Sequence, residues 1–163
     1  MLESELGYLA AMIDGEGCIT IERGGNRRLN GVTGLQPKVI VTNTNEAIVE
    51  YVSNLFNRLG VTPYIKSQEI GYGTHPRRKR CYWVTIQGLT KTAKILNAIK
   101  PYLVGKLAQA QLVLDFIAFR GDAQLAKGKP YGETEWKILD RIRALNFRGK
   151  STTEDHGLGL TPA

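Results

Sequence analysis

Cysteine and histidine are scarce. Two cysteines, Cys18 and Cys81, and two histidines, His75 and His156, occur in 163 residues, with no CxxC pair. A zinc site or a disulfide framework is therefore excluded as the organising element. Each cysteine lies in an apolar alternating run and reads as a small residue inside a strand. No apolar run approaches the length that spans a bilayer, and the N-terminal stretch MLESELGYLAAMIDGEG carries acids where a secretory signal needs positive charge. No membrane partner is expected, and a soluble, intracellular protein is. Acidic residues are also in the minority: 15 Asp and Glu against 22 Lys and Arg leave a net charge of +7. Nucleic acid is the partner such a balance suggests. With 42% hydrophobic residues the chain can bury one core, and its length is short for two, so residues 1–163 are read as one domain.

Periodicity gives an order of elements. Leu6, Leu9, Ala10 and Ile13 recur at helical spacing over residues 4–14, with Ser4 as the expected N-cap. Residues 18–23 alternate as a half-buried strand, a loop is expected over 24–36, and a second strand follows at 38–42. The same grammar repeats. A helix at 45–59 stopped by Gly60 precedes strand-like runs at 64–68 and 80–86, and helices follow at 90–99 and 106–120, the latter closed by Gly121. A linker (122–132), a helix near 134–145 and a polar tail from Phe147 complete the chain.

Two such halves predict an α+β fold: a four-stranded antiparallel sheet with helices on one face and the other face open. Alternation assigns Thr20, Glu22, Lys38, Ile40 and Thr42 to the open face from the first hairpin, and Tyr64, Lys66, Gln68, Arg78, Arg80 and Tyr82 from the second. A β-ribbon fits the DNA major groove, where Arg, Lys, Gln and Asn read base edges. Asn26, Arg28 and Gln36 of the first connection join this expected DNA-contacting set, with Arg148 and Lys150 of the tail gripping phosphates.

Within the first helix Gly7, Ala11 and Gly15 recur every four residues, a stripe of small side chains along which two backbones can approach. The expected partner is the same helix of a second copy across a two-fold axis, with Gly7, Ala10, Ala11, Asp14 and Gly15 at the interface. The helix closes on Asp14-Gly15-Glu16-Gly17, placing two carboxylates where free carbonyls already supply negative charge. A bound cation resolves that conflict. Two metals between two such helix ends can generate a nucleophile and stabilise a leaving oxygen. The plainer reading, in which the acid caps a turn, is favoured for Asp14 and disfavoured for Glu16.

The nonapeptide Leu9-Ala10-Ala11-Met12-Ile13-Asp14-Gly15-Glu16-Gly17 resembles the motif of the LAGLIDADG homing endonucleases, with five of nine positions identical. The likeness runs from residue 4 to about 121 and fits the single-motif, homodimeric members, including a C-terminal helix and basic tail over 133–163. It implies the αββαββα saddle fold with the motif helix at the dimer interface. It also implies site-specific cleavage of a long pseudo-palindromic double-stranded DNA target, intron homing, and an organellar, prokaryotic or archaeal setting. Mg²⁺ is the implied cofactor, with Mn²⁺ or Ca²⁺ able to substitute in binding. By the same resemblance Glu16 binds the metals, the Gly15 carbonyl contributes, Asn43 organises the water shell, and Lys106, after Pro101-Tyr102-Leu103, stabilises charge on the scissile phosphate. Asn43 has a second reading, because Asn43 and Glu46 have capping-box spacing. The family's basic residue in the first turn of the second helix has no counterpart in Asn45-Glu46-Ala47-Ile48. Members that assist intron RNA splicing, and non-cleaving DNA-binding proteins of the same fold, share the basic sheet without needing Glu16.

Overall fold

The computed structural model describes residues 1–25, 33–70, 79–121 and 129–147, and Asn26, Arg28, Arg78, Arg148 and Lys150 lie outside them. Among the described residues the elements run α1 (Glu3–Glu16), β1 (Gly17–Gly25), β2 (Thr33–Asn43), α2 (Glu46–Arg58), β3 (Tyr64–Ile70), β4 (Lys79–Gln87), α3 (Leu89–Ile99), a short 3-10 turn (Lys100–Tyr102), α4 (Leu107–Arg120) and α5 (Glu133–Asn146). The expected αββαββ order is observed, with helices following it. No described helix is long and apolar enough to cross a membrane.

The four strands form one sheet in the order β1-β2-β4-β3, every pairing antiparallel. Ile19, Ile21, Val39, Val41, Val84 and Ile86 all point to one side and are almost wholly buried. The helices cover that side with Leu9 and Ile13 of α1, Val52 and Phe56 of α2, Ile95 and Ile99 of α3, and Phe116 of α4, in a single core that also takes Leu139 and Ile142 of α5. Non-directional burial on one face of a pleated sheet explains why the alternation was readable. Truncating a core aromatic such as Phe56 belongs in the range of about 3–5 kcal/mol.

The expected 24–36 loop is corrected at both ends. β1 continues to Gly25 and β2 begins at Thr33, because Gly24 and Gly34 pair directly across the ladder and lose no hydrogen bonds for lacking side chains. Two expected caps also move. α1 begins at Glu3, with Glu5 Oε2 accepting the Leu2 N–H at 2.9 Å, so Ser4 lies inside the first turn. Asn45, not Asn43, caps α2: its Oδ1 accepts from Ala47 N at 3.1 Å, while Asn43 Oδ1 accepts from Asn45 N at 2.8 Å in the turn before it. Gly60 (φ 68°) and Gly121 (φ 71°) close α2 and α4 in the left-handed region, as their positions suggested.

Gly17 is constrained by space. A Cβ there would lie 2.7 Å from both the Cα and the carbonyl oxygen of Ile13. The chain therefore leaves α1 and enters β1 through a gap that admits only hydrogen. Gly17→Ala is expected to lower the unfolding free energy by about 1–3 kcal/mol, read as an earlier urea midpoint at unchanged slope.

The first turn of α1 is tied to the last turn of α2 by the Arg58–Glu5 ion pair. The hydrogen bond from Arg58 holds the Glu5 carboxyl below its ordinary value of 4.5. A depressed carboxyl contributes stability above its unfolded pKa and loses it as pH falls through the folded one. In Arg58→Ala, the carboxyl resonance of Glu5 is expected to titrate at higher pH, nearer 4.5.

Candidate active site and nucleic-acid interface

The end of α1 is held by the start of α4. Asp14 accepts from three successive amides, Val104 N at 2.7 Å, Gly105 N at 3.1 Å and Lys106 N at 2.8 Å. These lie at the positive end of α4, so the acid stands at the C-terminus of its own helix and the N-terminus of another. The electrostatic conflict read in the sequence is thus resolved for Asp14 by protein alone. Lys106 completes the exchange by donating from Nζ to the Asp14 carbonyl, placing an ammonium on the negative end of α1. Glu16 is different. It is exposed, and no described hydrogen bond or ion pair engages its carboxylate.

Two of the three residues named as catalytic, Glu16 and Lys106, are therefore brought to one helix end. Asn43 closes β2 at the same end of the sheet, since Gly17 pairs with Val41 two residues before it, but it has the parity of the helix-facing residues, and its Oδ1 accepts from Asn45 N in the turn into α2. Beside Asp14 and Lys106 a cleft of 330 Å³ is lined also by Gly17, Cys18, Gly105, Gln109, Leu145 and Asn146. No group of three or more His, Cys, Asp or Glu able to hold a metal ion occurs among the described residues. One chain offers Glu16 and the Gly15 carbonyl as hard oxygen donors, a set that suits Mg²⁺ in kind and is too small in number without a second source.

Strand register decides which side chains share the open face. Thr20 pairs with Lys38, Cys18 with Ile40 and Glu22 with Gln36, all opposite in direction to buried Ile19, Ile21 and Val39. Thr42 faces Trp83 and Ile40 faces Thr85, while Tyr64 pairs with Thr85, Lys66 with Trp83 and Gln68 with Cys81. The placement of Thr20, Glu22, Gln36, Lys38, Ile40, Thr42, Tyr64, Lys66 and Gln68 on one face follows.

Arg80 and Tyr82 do not join them, and their expected placement is corrected. They have the parity of Val84 and Ile86. Tyr82 donates its hydroxyl to Glu46 Oε2 at 2.9 Å, under α2, and this bond to a carboxylate raises the phenol pKa. Arg80 pairs with Glu69 at 3.5 Å. Their places on the open face are taken by Trp83, Thr85 and Gln87, which the sequence reading missed. The signal was present: the apolar pair Val84 and Ile86 fixes the parity of β4, whereas parity carried across from β3 depends on a connection whose length says nothing about register. Lys66 Nζ stands 5.9 Å from the Trp83 ring, and Lys38 bonds Glu22 at 2.5 Å, so two of the face's cations are already oriented.

On α1, Leu9, Ala10 and Ile13 point into the core. Ala10 was expected at a subunit interface and is corrected, since it is wholly buried within its own chain. Gly7 and Gly15 meet nothing within 4 Å where a Cβ would stand, and Ala11 between them is exposed. The small-residue stripe is thus real and lies opposite the core.

Comparison with solved structures finds this fold in several endonucleases. The homing endonuclease I-CvuI, in complex with its target in the presence of Ca, superposes with a TM-score of 0.66 at 19% identity, over 91% of this chain and 85% of that one. The archaeal intron-encoded homing endonuclease I-Vdi141I, complexed with DNA, gives 0.52 at 17% identity over 88% and 97%. The meganuclease I-SmaMI bound to uncleaveable DNA gives 0.55 at 17% identity, over 86% of this chain and 42% of that longer one. A comparison with curated protein sequences gives no match. The profile of the LAGLIDADG-like domain matches residues 3–99, from the start of α1 to the end of α3 and through the nonapeptide that ends on Glu16 and Gly17. With the family's profile covering more than half of its length and the sheet and helices arranged as in those structures, this chain belongs to the LAGLIDADG-like domain family.

Proposed function

We propose that the chain is one subunit of a homodimeric homing endonuclease that hydrolyses phosphodiester bonds at a long, pseudo-palindromic double-stranded DNA site. The observation that carries this reading is the division of labour at the end of α1. Asp14 is consumed by three amides, whereas Glu16, two residues on, is exposed with its carboxylate unengaged among the described residues and has the Lys106 ammonium on the same helix end. An exposed acid and a fixed cation at one helix end, at the rim of an open sheet face rich in Lys, Thr, Gln and aromatic side chains, suit a phosphodiester better than a neutral substrate.

Glu16 and the Gly15 carbonyl would hold the divalent metal, which supplies Lewis-acid activation of the scissile phosphate when bound. Lys106 opposes the charge that develops on the phosphoryl oxygens. The sheet supplies register through Gln36, Lys38, Tyr64 and Lys66, together with Trp83 and Thr85. The net charge of +7 per chain adds the salt-dependent, sequence-independent part of the affinity. Support for two subunits comes from the small-residue stripe, from the incomplete donor set of one chain, and from the likeness to under half of the I-SmaMI chain, which leaves room there for a second such unit.

Incubation with a randomised duplex library and Mg²⁺ is expected to yield defined cut ends. Glu16→Gln should reduce cutting by roughly 10²-fold or more while DNA binding persists. A Glu16→Gln protein with undiminished activity overturns the nuclease reading in favour of a binding role. Ala11→Leu, which fills the space a partner backbone occupies, is expected to convert a sedimenting dimer into a monomer that still unfolds cooperatively and no longer cuts both strands.

A further inference from the structure

β4 pairs with β2 only from Lys38 to Asn43, whereas β1 pairs with β2 from Gly17↔Val41 out to Gly25↔Thr33. The outer half of the first hairpin, Ile21–Gly25 against Thr33–Pro37, is thus a two-stranded ribbon extending past the sheet. Pro37 fits there, since no neighbour on that side needs an N–H from it, and its carbonyl is taken by Gly88 N at 3.1 Å and Thr92 Oγ1 at 3.2 Å. An isolated ribbon of this kind twists strongly and is marginally stable. Glu22 and Gln36 lie on it, on the open face, so something must set where they point.

That something is the segment entering α5, and α5 itself. Tyr131 Oη accepts the Leu35 N–H at 2.9 Å, gripping the ribbon where β4 has ended. Trp136 meets Tyr131 edge-on at 6.1 Å and carries the Arg23 guanidinium 4.8 Å over its ring. Asn146 Nδ2 donates to the Ile19 carbonyl at 2.9 Å, where β1 is the sheet's edge.

The gripping segment is itself locked. Arg120 and Glu135 form a 3.0 Å ion pair with side chains only 7% and 3% exposed. Arg120 also donates to the Pro130 and Lys129 carbonyls, each at 3.2 Å, and lies 4.3 Å from the Tyr131 ring centroid. Glu135 Oε2 accepts from Gly132 N at 2.6 Å. A buried ion pair adds little net stability over an apolar pair of the same shape, but its directional bonds fix geometry. Here the geometry fixed is that of Tyr131.

We propose that Tyr131, held by the Arg120–Glu135 pair, is a positioning residue that sets the attitude of the outer β1–β2 ribbon on DNA, and hence specificity at the base pairs that ribbon covers, without touching the duplex. The proposal rests on the endonuclease reading above. Its test is Tyr131→Phe in the full chain, which removes one oxygen and keeps the ring under Arg120. Amide exchange at Leu35 is expected to accelerate a few-fold to about tenfold, while Val84 and Ile86 keep their protection. In cleavage of randomised targets, tolerance should widen over one block of base pairs. That block should coincide with the one altered by Gln36→Ala and not with the one altered by Lys66→Ala. Unchanged Leu35 exchange, an unchanged target profile, or widening spread evenly over both blocks overturns the brace. A wild-type protein that cuts no duplex overturns the endonuclease reading and the specificity claim with it, whereas normal cutting with an unmoved profile overturns the brace alone.

Discussion

One carboxylate holds the functional end of this molecule together. Asp14 leaves α1 at the point where the helix has run out of donors for its carbonyls, and reaches the three successive amides of Val104, Gly105 and Lys106 that lead into α4. Each helix end thereby cancels the other's partial charge. Lys106 closes the ring from the opposite direction through the Asp14 carbonyl. Because Asp14 is spent in this way, the acid two residues on is the one left over. Glu16 stands exposed at the helix tip, while Gly17, which has no room for a Cβ, lets the chain turn at once into the first strand.

From that junction the sheet inherits its orientation. β1 begins at Gly17, immediately after the exposed acid, so the open face starts at the candidate centre and runs away from it along two hairpins. The side facing the helices is aliphatic at its centre, with Arg23, Asn43, Arg80 and Tyr82 toward its margins, and the other side carries Thr, Lys, Gln, Tyr and Trp. Such a division suits a protein whose sheet is its binding surface, because the fold's stability is carried by one face and the other is released to recognise a partner. The first hairpin outreaches its neighbour β4 and is steadied from behind by α5, an element outside the span matched by the family profile.

Much of this was legible in the chain. Aliphatic residues at period two and at helical spacing located the four strands and five helices of the described residues, although less than half of β2, because burial on one face is the strongest and most local constraint a sequence records. The nonapeptide ending on Glu16 and Gly17 named its family. Legibility failed where neighbours decide: the N-cap of α2 shifted from Asn43 to Asn45, and Gly24 and Gly34, which read as loop, lie in strands because each is the other's ladder partner.

What the sequence determined by itself is the set of elements, the apolar face of each, and the acid at the end of α1, since these depend on contacts within a turn or a strand. Only the tertiary structure decided that Tyr82 and Arg80 turn from the open face while Trp83 and Thr85 occupy it, that Ala10 is core and not interface, and that Lys106 sits on the tip of α1. Each of these depends on register or packing between segments far apart in the chain. A one-residue difference in register reverses a side chain's face, and no local pattern carries that information.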